Sequence, residues 1–227
     1  MSNTQQFAAP NTFILDSGPQ NAAHRLIIAH GAGAGITFLF LETMTSLMVE
    51  RGFAVTRFEF AYMAARRTGG PRRPPPKIEQ LTKEYVTMLQ SVSATKPPRQ
   101  TLLIGGKSMG GRVASLMAQD AFDAGSIVGL FCLGYPFHPP GKPDQLRTAH
   151  LETLTCPTLI VQGERDPFGN RTEVERYQLS PAITYQWAPD GDHDLGPRGN
   201  SGHVRKGNLA AAADAIAQFA QALPTPR

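Results

Sequence analysis

Only two cysteines, Cys132 and Cys156, occur in 227 residues. They form no Cys-x-x-Cys pair and no Cys/His ligand spacing, so neither a structural zinc site nor a disulfide framework is signalled. Each lies in or beside an apolar run, IVGLFCLGYPF and PTLIVQG, and both read as buried reduced thiols, with the cytoplasm as the expected compartment. No apolar stretch approaches the roughly 18 residues that a membrane span requires. The opening MSNTQQFAAP lacks the basic n-region and apolar h-region of a secretory signal. Residues 1–10 read as a disordered lead and 223–227 as a flexible tail, around a single domain over 11–222. Charge is also sparse, at 18% of residues, with 22 Lys and Arg against 18 Asp and Glu. Five of the cations fall in one acid-free stretch, AYMAARRTGGPRRPPPK (61–77), and the other 17 balance the 18 acids. Basicity confined to one loop is not the footprint of a nucleic-acid-binding face. No nucleic acid, membrane, metal or cofactor is therefore expected as a partner, and a monomer or homodimer is.

What the chain does contain is alternation. Short apolar runs (24–30, 53–60, 101–107, 126–137, 157–166, 183–189) are separated by amphipathic stretches with helical spacing (37–52, 78–92, 108–122, 171–179, 203–223). The near-continuous apolar character of the short runs suits strands buried on both faces. This predicts a three-layer α/β fold: a mostly parallel sheet of about six to seven strands with helices on both sides. NTFILDSG (11–18) reads as one half of an edge hairpin, and 61–77 as a loop.

The segment GKSMG (106–110) lies where a predicted strand runs directly into a predicted helix. A serine there sits on a sharp turn with its hydroxyl projecting at the carboxyl end of the sheet, and small residues at 106 and 110 avoid collision with neighbouring backbone. Ser108 is thus a candidate nucleophile rather than only a helix cap. A serine hydroxyl needs a base, and the base needs an orienting acid. After Ser108, LIVQGERDPFG offers Asp166 just past a strand, with Glu164 as its rival. PDGDHDLGP offers His193 past the last strand, with His203, at the start of the closing helix, as the rival. Two further donors are needed for an oxyanion. The Met109 N–H follows the nucleophile at a helix N-terminus. The loop HGAGAG (30–35) supplies Ala32 or Gly33, where small residues let backbone approach a substrate. HGAGAGITF does not space its glycines as G-x-G-x-x-G, which sets aside a dinucleotide loop. Arg66 and Arg67, just beyond a strand's carboxyl end, are candidates for contacting an anionic substrate.

Together HGAGAG, GKSMG, the Asp166 loop and GDHDL, in that order over nearly the whole chain, resemble the α/β-hydrolase family. The combination of HGAGAG, FEFAYM, an Arg/Pro-rich loop and GGKSMGGR is most similar to a small, lidless, dienelactone-hydrolase-like branch. The resemblance implies a carboxylesterase-like serine hydrolase acting on a small acyl substrate. Dienelactone hydrolases use cysteine as nucleophile, whereas this chain has Ser108, so lactone specificity is not carried over. The stretch Tyr135–Leu154, where relatives insert a lid, is too short to hold one. The alternative expectation is a non-catalytic scaffold that docks partners through loop 61–77.

Overall fold

The computed structural model describes residues 12–223. The expected N-terminal lead, and all but the first residue of the expected tail, lie outside them. Seven strands, β1 (Phe13–Ser17), β2 (His24–Ala29), β3 (Ala54–Glu59), β4 (Thr101–Lys107), β5 (Gly129–Leu133), β6 (Thr158–Gly163) and β7 (Ile183–Ala188), form one sheet in the order β1-β3-β2-β4-β5-β6-β7. Strands β2 to β7 are parallel. The helices are α1 (Leu39–Glu50), α2 (Ala61–Ala64), α3 (Ile78–Thr95), α4 (Met109–Asp123), α5 (Arg171–Val174) and α6 (Arg205–Ala222).

The period-two alternation of strands decides which helices cover which face. In β2, Ile27 and Ala29 point to the face covered by α3 and α4, while Leu26 and Ile28 point to the face covered by α1 and α6. The same split recurs in β4, where Leu102 and Ile104 oppose Leu103, and in β5, where Leu130 and Cys132 oppose Phe131 and Leu133. Burial of each such side chain contributes about 1.5–3 kcal/mol, and a strand apolar on both sides can rest only between two helical layers. Cys132 and Cys156 are free and buried in the α3/α4 layer, as their apolar settings predicted. Burial pushes the Cys156 thiol up to about 12.

Three local expectations are corrected. Strand β1 is not half of a hairpin; it pairs antiparallel with β3, Phe13 opposite Glu59 and Ser17 opposite Val55. Chain neighbours β1 and β2 are separated because β3 inserts between them. Segment 61–77 is not all loop: α2 continues as a 3-10 turn over Ala65–Thr68 and stops at Gly69, whose φ is 84°. Segment 171–179 holds only one helical turn, closed by a capping box in which Asn170 and Glu173 satisfy each other's backbone amides. Tyr135–Leu154 forms turns and a short 3-10 turn, Ala149–Leu151, with no lid.

The chain leaves β2 for β3 on one side and returns as β4 on the other. Such a reversal opens a crevice at the carboxyl ends of the two flanking strands. HGAGAG follows β2 and Ser108 follows β4, so the two glycine-rich turns meet there.

Candidate active site

Ser108 adopts φ 51° and ψ −115°, a region that L-residues with a side chain occupy only under strain. Its amide donates to Leu133 O at 3.0 Å, and its carbonyl accepts from Arg112 N at 3.0 Å as α4 begins. The glycines around it leave no choice. A Cβ at 106 would stand 2.6 Å from Ala29 O and from Gly110 C, and one at 110 would stand 2.5 Å from Ala29 O. Only a chain without side chains at both positions can turn this tightly against β2.

Asp166 and His193 arrive from different loops. Past β6, Asp166 is fully buried, and its Oδ2 lies 2.8 Å from His193 Nδ1. Its Oδ1 accepts from Phe168 N at 2.8 Å. Gln162, also fully buried, donates to Asp166 Oδ2 at 3.0 Å and ties its amide to both backbone groups of Tyr135. The carboxylate is therefore fixed by three partners, and the bond at Nδ1 fixes which edge of the imidazole turns to Asp166. The Phe168 ring packs on the imidazole, centroids 4.3 Å apart. The His193 loop lies on Gly163, where a Cβ would stand 2.2 Å from Asp192 O. Asn208 on α6 donates to Pro189 O and Leu195 O, holding both ends of that loop. Within it, Asp192 accepts from the amides of Asp194 and Gly196. The rivals face elsewhere: Glu164 pairs with Arg171 and accepts from Asp190 N, and His203 is exposed.

On the other side of Ser108, the HGAGAG loop is braced from below. His30 is fully buried; its Nδ1 lies 2.6 Å from Gly31 O, and its Nε2 accepts from Phe60 N at 3.2 Å. Burial holds its pKa down, consistent with a neutral ring that donates through Nδ1. Glu59, 1% exposed, accepts from Ile36 N at 3.0 Å and from Arg67 through two 2.8 Å bonds. Tyr62 donates from its hydroxyl to Ala32 O. Neither Ala32 N–H nor Gly33 N–H is used by a backbone acceptor among the described residues, and the same holds for Met109 N–H.

Ser108, His193, Ala32 and Gly33 line one cleft of about 270 Å3, walled by Phe38, Leu41 and Phe168 and completed by Lys107 and Asp194. No direct hydrogen bond joins Ser108 Oγ to His193 among the described residues; in ligand-free sites such contacts often tighten only when substrate binds. A larger groove, about 610 Å3, lies between α3 and α4 and contains neither Ser108 nor His193. Arg66 and Arg67 do not line the cleft. Arg67 is committed to Glu59 and stacks on Phe13, while Arg66 donates to Arg73 O and lies over Tyr62. Past the α2 turn the Arg67 guanidinium reaches back to Glu59 at the end of β3, while that of Arg66 stays over Tyr62. Sequence reasoning missed Gln162, Asn208, Lys107 and the bracing role of Glu59. Only the polar character of Gln162 and Glu59, each at the end of an apolar run, hinted at them. Among the described residues, no group of three or more His, Cys, Asp or Glu side chains is placed to hold a metal ion. Nor, among those residues, is any helix long and apolar enough to cross a membrane.

Residues 22–221 match the family described as the alpha/beta hydrolase domain. The chain belongs to the α/β-hydrolase family. No curated protein matches it by sequence. Solved α/β-hydrolase structures match across nearly its whole length. A lidless α/β serine hydrolase from Xanthomonas campestris is similar at 18% identity, with 100% of this chain and 97% of that one covered and a TM-score of 0.70. A dienelactone hydrolase from Anabaena variabilis is similar at 17% identity, with 98% of each chain covered and a TM-score of 0.72. An alpha-beta serine hydrolase homologue from Coxiella burnetii is similar at 17% identity, with 96% of each covered and a TM-score of 0.70. At these identities the likeness speaks for the α/β-hydrolase fold, and the site must be argued from its own residues.

Proposed function

We propose that this α/β-hydrolase is a carboxylesterase-like serine hydrolase that cleaves small carboxylic esters or thioesters through an acyl-enzyme on Ser108. The observation that carries the reading is the 2.8 Å pair between His193 and fully buried Asp166, opening on the same cleft as a serine held at φ 51°. In this reading Ser108 Oγ attacks the carbonyl carbon while His193 accepts the hydroxyl proton. The carbonyl oxygen becomes an oxyanion and takes hydrogen bonds from Met109 N–H and from Ala32 or Gly33 N–H. Each such donor is worth about 10²–10³ in rate. The C–O or C–S bond then breaks, and His193 returns its proton to the departing alcohol or thiol. Water attacks the acyl group with His193 again as base, and Ser108 is regenerated. Asp166 orients the imidazole and stabilises its cationic form throughout. The small cleft and its apolar walls favour a short acyl group over a long chain. This chemistry calls on no cofactor.

The test is labelling with a fluorophosphonate probe and turnover of p-nitrophenyl acetate, for the wild type beside Ser108→Ala. Labelling and turnover that vanish in the variant support the reading. A folded wild type that is neither labelled nor active sinks it.

A further inference from the structure

Between the glycine and the serine of the sharp turn stands Lys107. It is 7% exposed, although it lines the cleft. A buried ammonium is costly unless its hydrogens find partners. The Lys107 Nζ donates to the backbone carbonyl of His193 at 2.7 Å and pairs with Asp194 Oδ1 at 3.2 Å. It also lies 5.3 Å from the centroid of the Phe40 ring on α1. Facing it across the junction is Gly134, at φ 66°, where a Cβ would stand 3.1 Å from Nζ, 2.9 Å from His193 O and 3.2 Å from His193 Cε1. The absence of a Cβ at 134 thus leaves room for the contact.

We propose that Lys107 is a positioning residue: the side chain covalently next to the nucleophile grips the backbone of the base, so that Ser108 and His193 move as one body. The inference rests on the proposed hydrolase reading for its kinetic arm. Neither loop needs this contact to close. Asp192 and Asn208 already fold the His193 loop, and the glycines already set the serine turn. What Lys107 adds is the link between them, and a misplacement of about 1 Å between reacting groups can cost about 10²-fold in rate. The ammonium faces Asp194, Asp192 and Asp166, with the Phe40 ring the contact from α1. Burial pulls the Lys107 pKa below the usual lysine value, opposed by those three carboxylates. Loss of its proton at high pH therefore weakens the grip, and the link has a pH signature of its own.

The experiment compares wild type, Lys107→Met and Asp194→Asn. It uses p-nitrophenyl acetate turnover across pH and amide hydrogen exchange over residues 190–196. Lys107→Met is expected to lower kcat by about 10- to 100-fold with KM within about 2-fold, to erase the alkaline decline of kcat, and to speed exchange in the loop. Asp194→Asn keeps both Lys107 and His193 but removes the ion pair. It is expected to move the alkaline decline to lower pH, which loosened packing alone would not do. A folded Lys107→Met variant with wild-type kcat and a protected loop overturns the inference, as does an Asp194→Asn variant whose alkaline decline stays in place. Where Lys107→Met does not fold, Asp194→Asn decides. If the wild type does not turn over ester, the hydrolase reading fails and loop exchange alone decides whether Lys107 holds the loop.

Discussion

Two charged loops flank Ser108 at the carboxyl end of the sheet, one basic after β3 and one acidic after β7. In sequence the basic one is more conspicuous, with five cations and no acid over 61–77. In three dimensions each uses some of its charges to hold the chain in place. Arg67 returns to Glu59, which carries the amide of Ile36 and so supports the HGAGAG loop from beneath. Asp192 gathers the amides of Asp194 and Gly196, and Asp190 is clasped by Arg198 and Arg165. The hydrogen bonds from Arg198 hold the Asp190 carboxyl down at about 2. The difference lies in redundancy. The acidic loop is stitched by several independent bonds and backed by α6 through Asn208, whereas along the HGAGAG segment each point has a single holder: His30 at Gly31 O, Tyr62 at Ala32 O, and Glu59 and Arg57 at the amide and the carbonyl of Ile36. Charge density in a loop therefore says little about ligands until its partners are known.

That contrast can be broken at its strongest point first. Asp166→Asn removes the charge on which the acidic side converges while keeping the side chain's shape. A fall in kcat of about 10⁴ is expected in steady-state assays, because the amide favours the wrong imidazole tautomer. Wild-type turnover would show that His193 needs no acid. On the basic side, Glu59→Gln should cost about 1–3 kcal/mol in denaturant titrations. A fully buried pair would cost more, but the Arg67 side chain is 32% exposed and part of its charge is screened. The same change should slow turnover by about tenfold or more through the HGAGAG loop; unchanged kinetics would show that the loop holds without its brace.

A control outside both loops uses His150, whose Nε2 lies 2.8 Å from Ser115 Oγ. Burial, helped by the Arg112 charge, lowers its pKa to about 4. The folded state then binds this proton less readily than the unfolded chain, so stability is full above pH 6.5 and falls as pH drops from there toward 4. His150→Gln should flatten that part of the stability-against-pH curve, and an identical slope would refute the linkage. The smallest effect is expected for Arg66→Ala. Its guanidinium is held by Arg73 O and Tyr62, so kcat/KM for neutral and anionic esters alike should stay within about 2-fold. A selective loss for anionic esters would restore that residue to substrate binding.

The order of strands and helices, the two-sided burial of the sheet and the turn at Ser108 were all legible in the sequence, because each depends on local periodicity or on steric limits at glycine. Asp166 and His193 could be chosen over Glu164 and His203 because position after a strand is also a local property. What was not legible depends on register between distant segments. Gln162 matters because β6 lies beside β5, which brings Tyr135 within reach of its amide. Lys107 matters because Gly134 leaves space across the sheet. Strand β1 could be recognised as a strand but not paired, since its partner β3 lies some forty residues on, Phe13 opposite Glu59. That Arg66 and Arg67 lie off the cleft was not legible either, because it depends on the helical turn over 61–68 and on contacts with Glu59, Phe13 and Tyr62.

The backbone at Ser108 carries a further consequence. At φ 51° and ψ −115°, alanine is as uncomfortable as serine, while glycine is at ease. Ser108→Ala should therefore melt like the wild type, whereas Ser108→Gly should be more stable by about 1 kcal/mol. A glycine would thus be the more durable residue here, and under the proposed reading the stability that serine gives up is what places a hydroxyl at the mouth of the cleft.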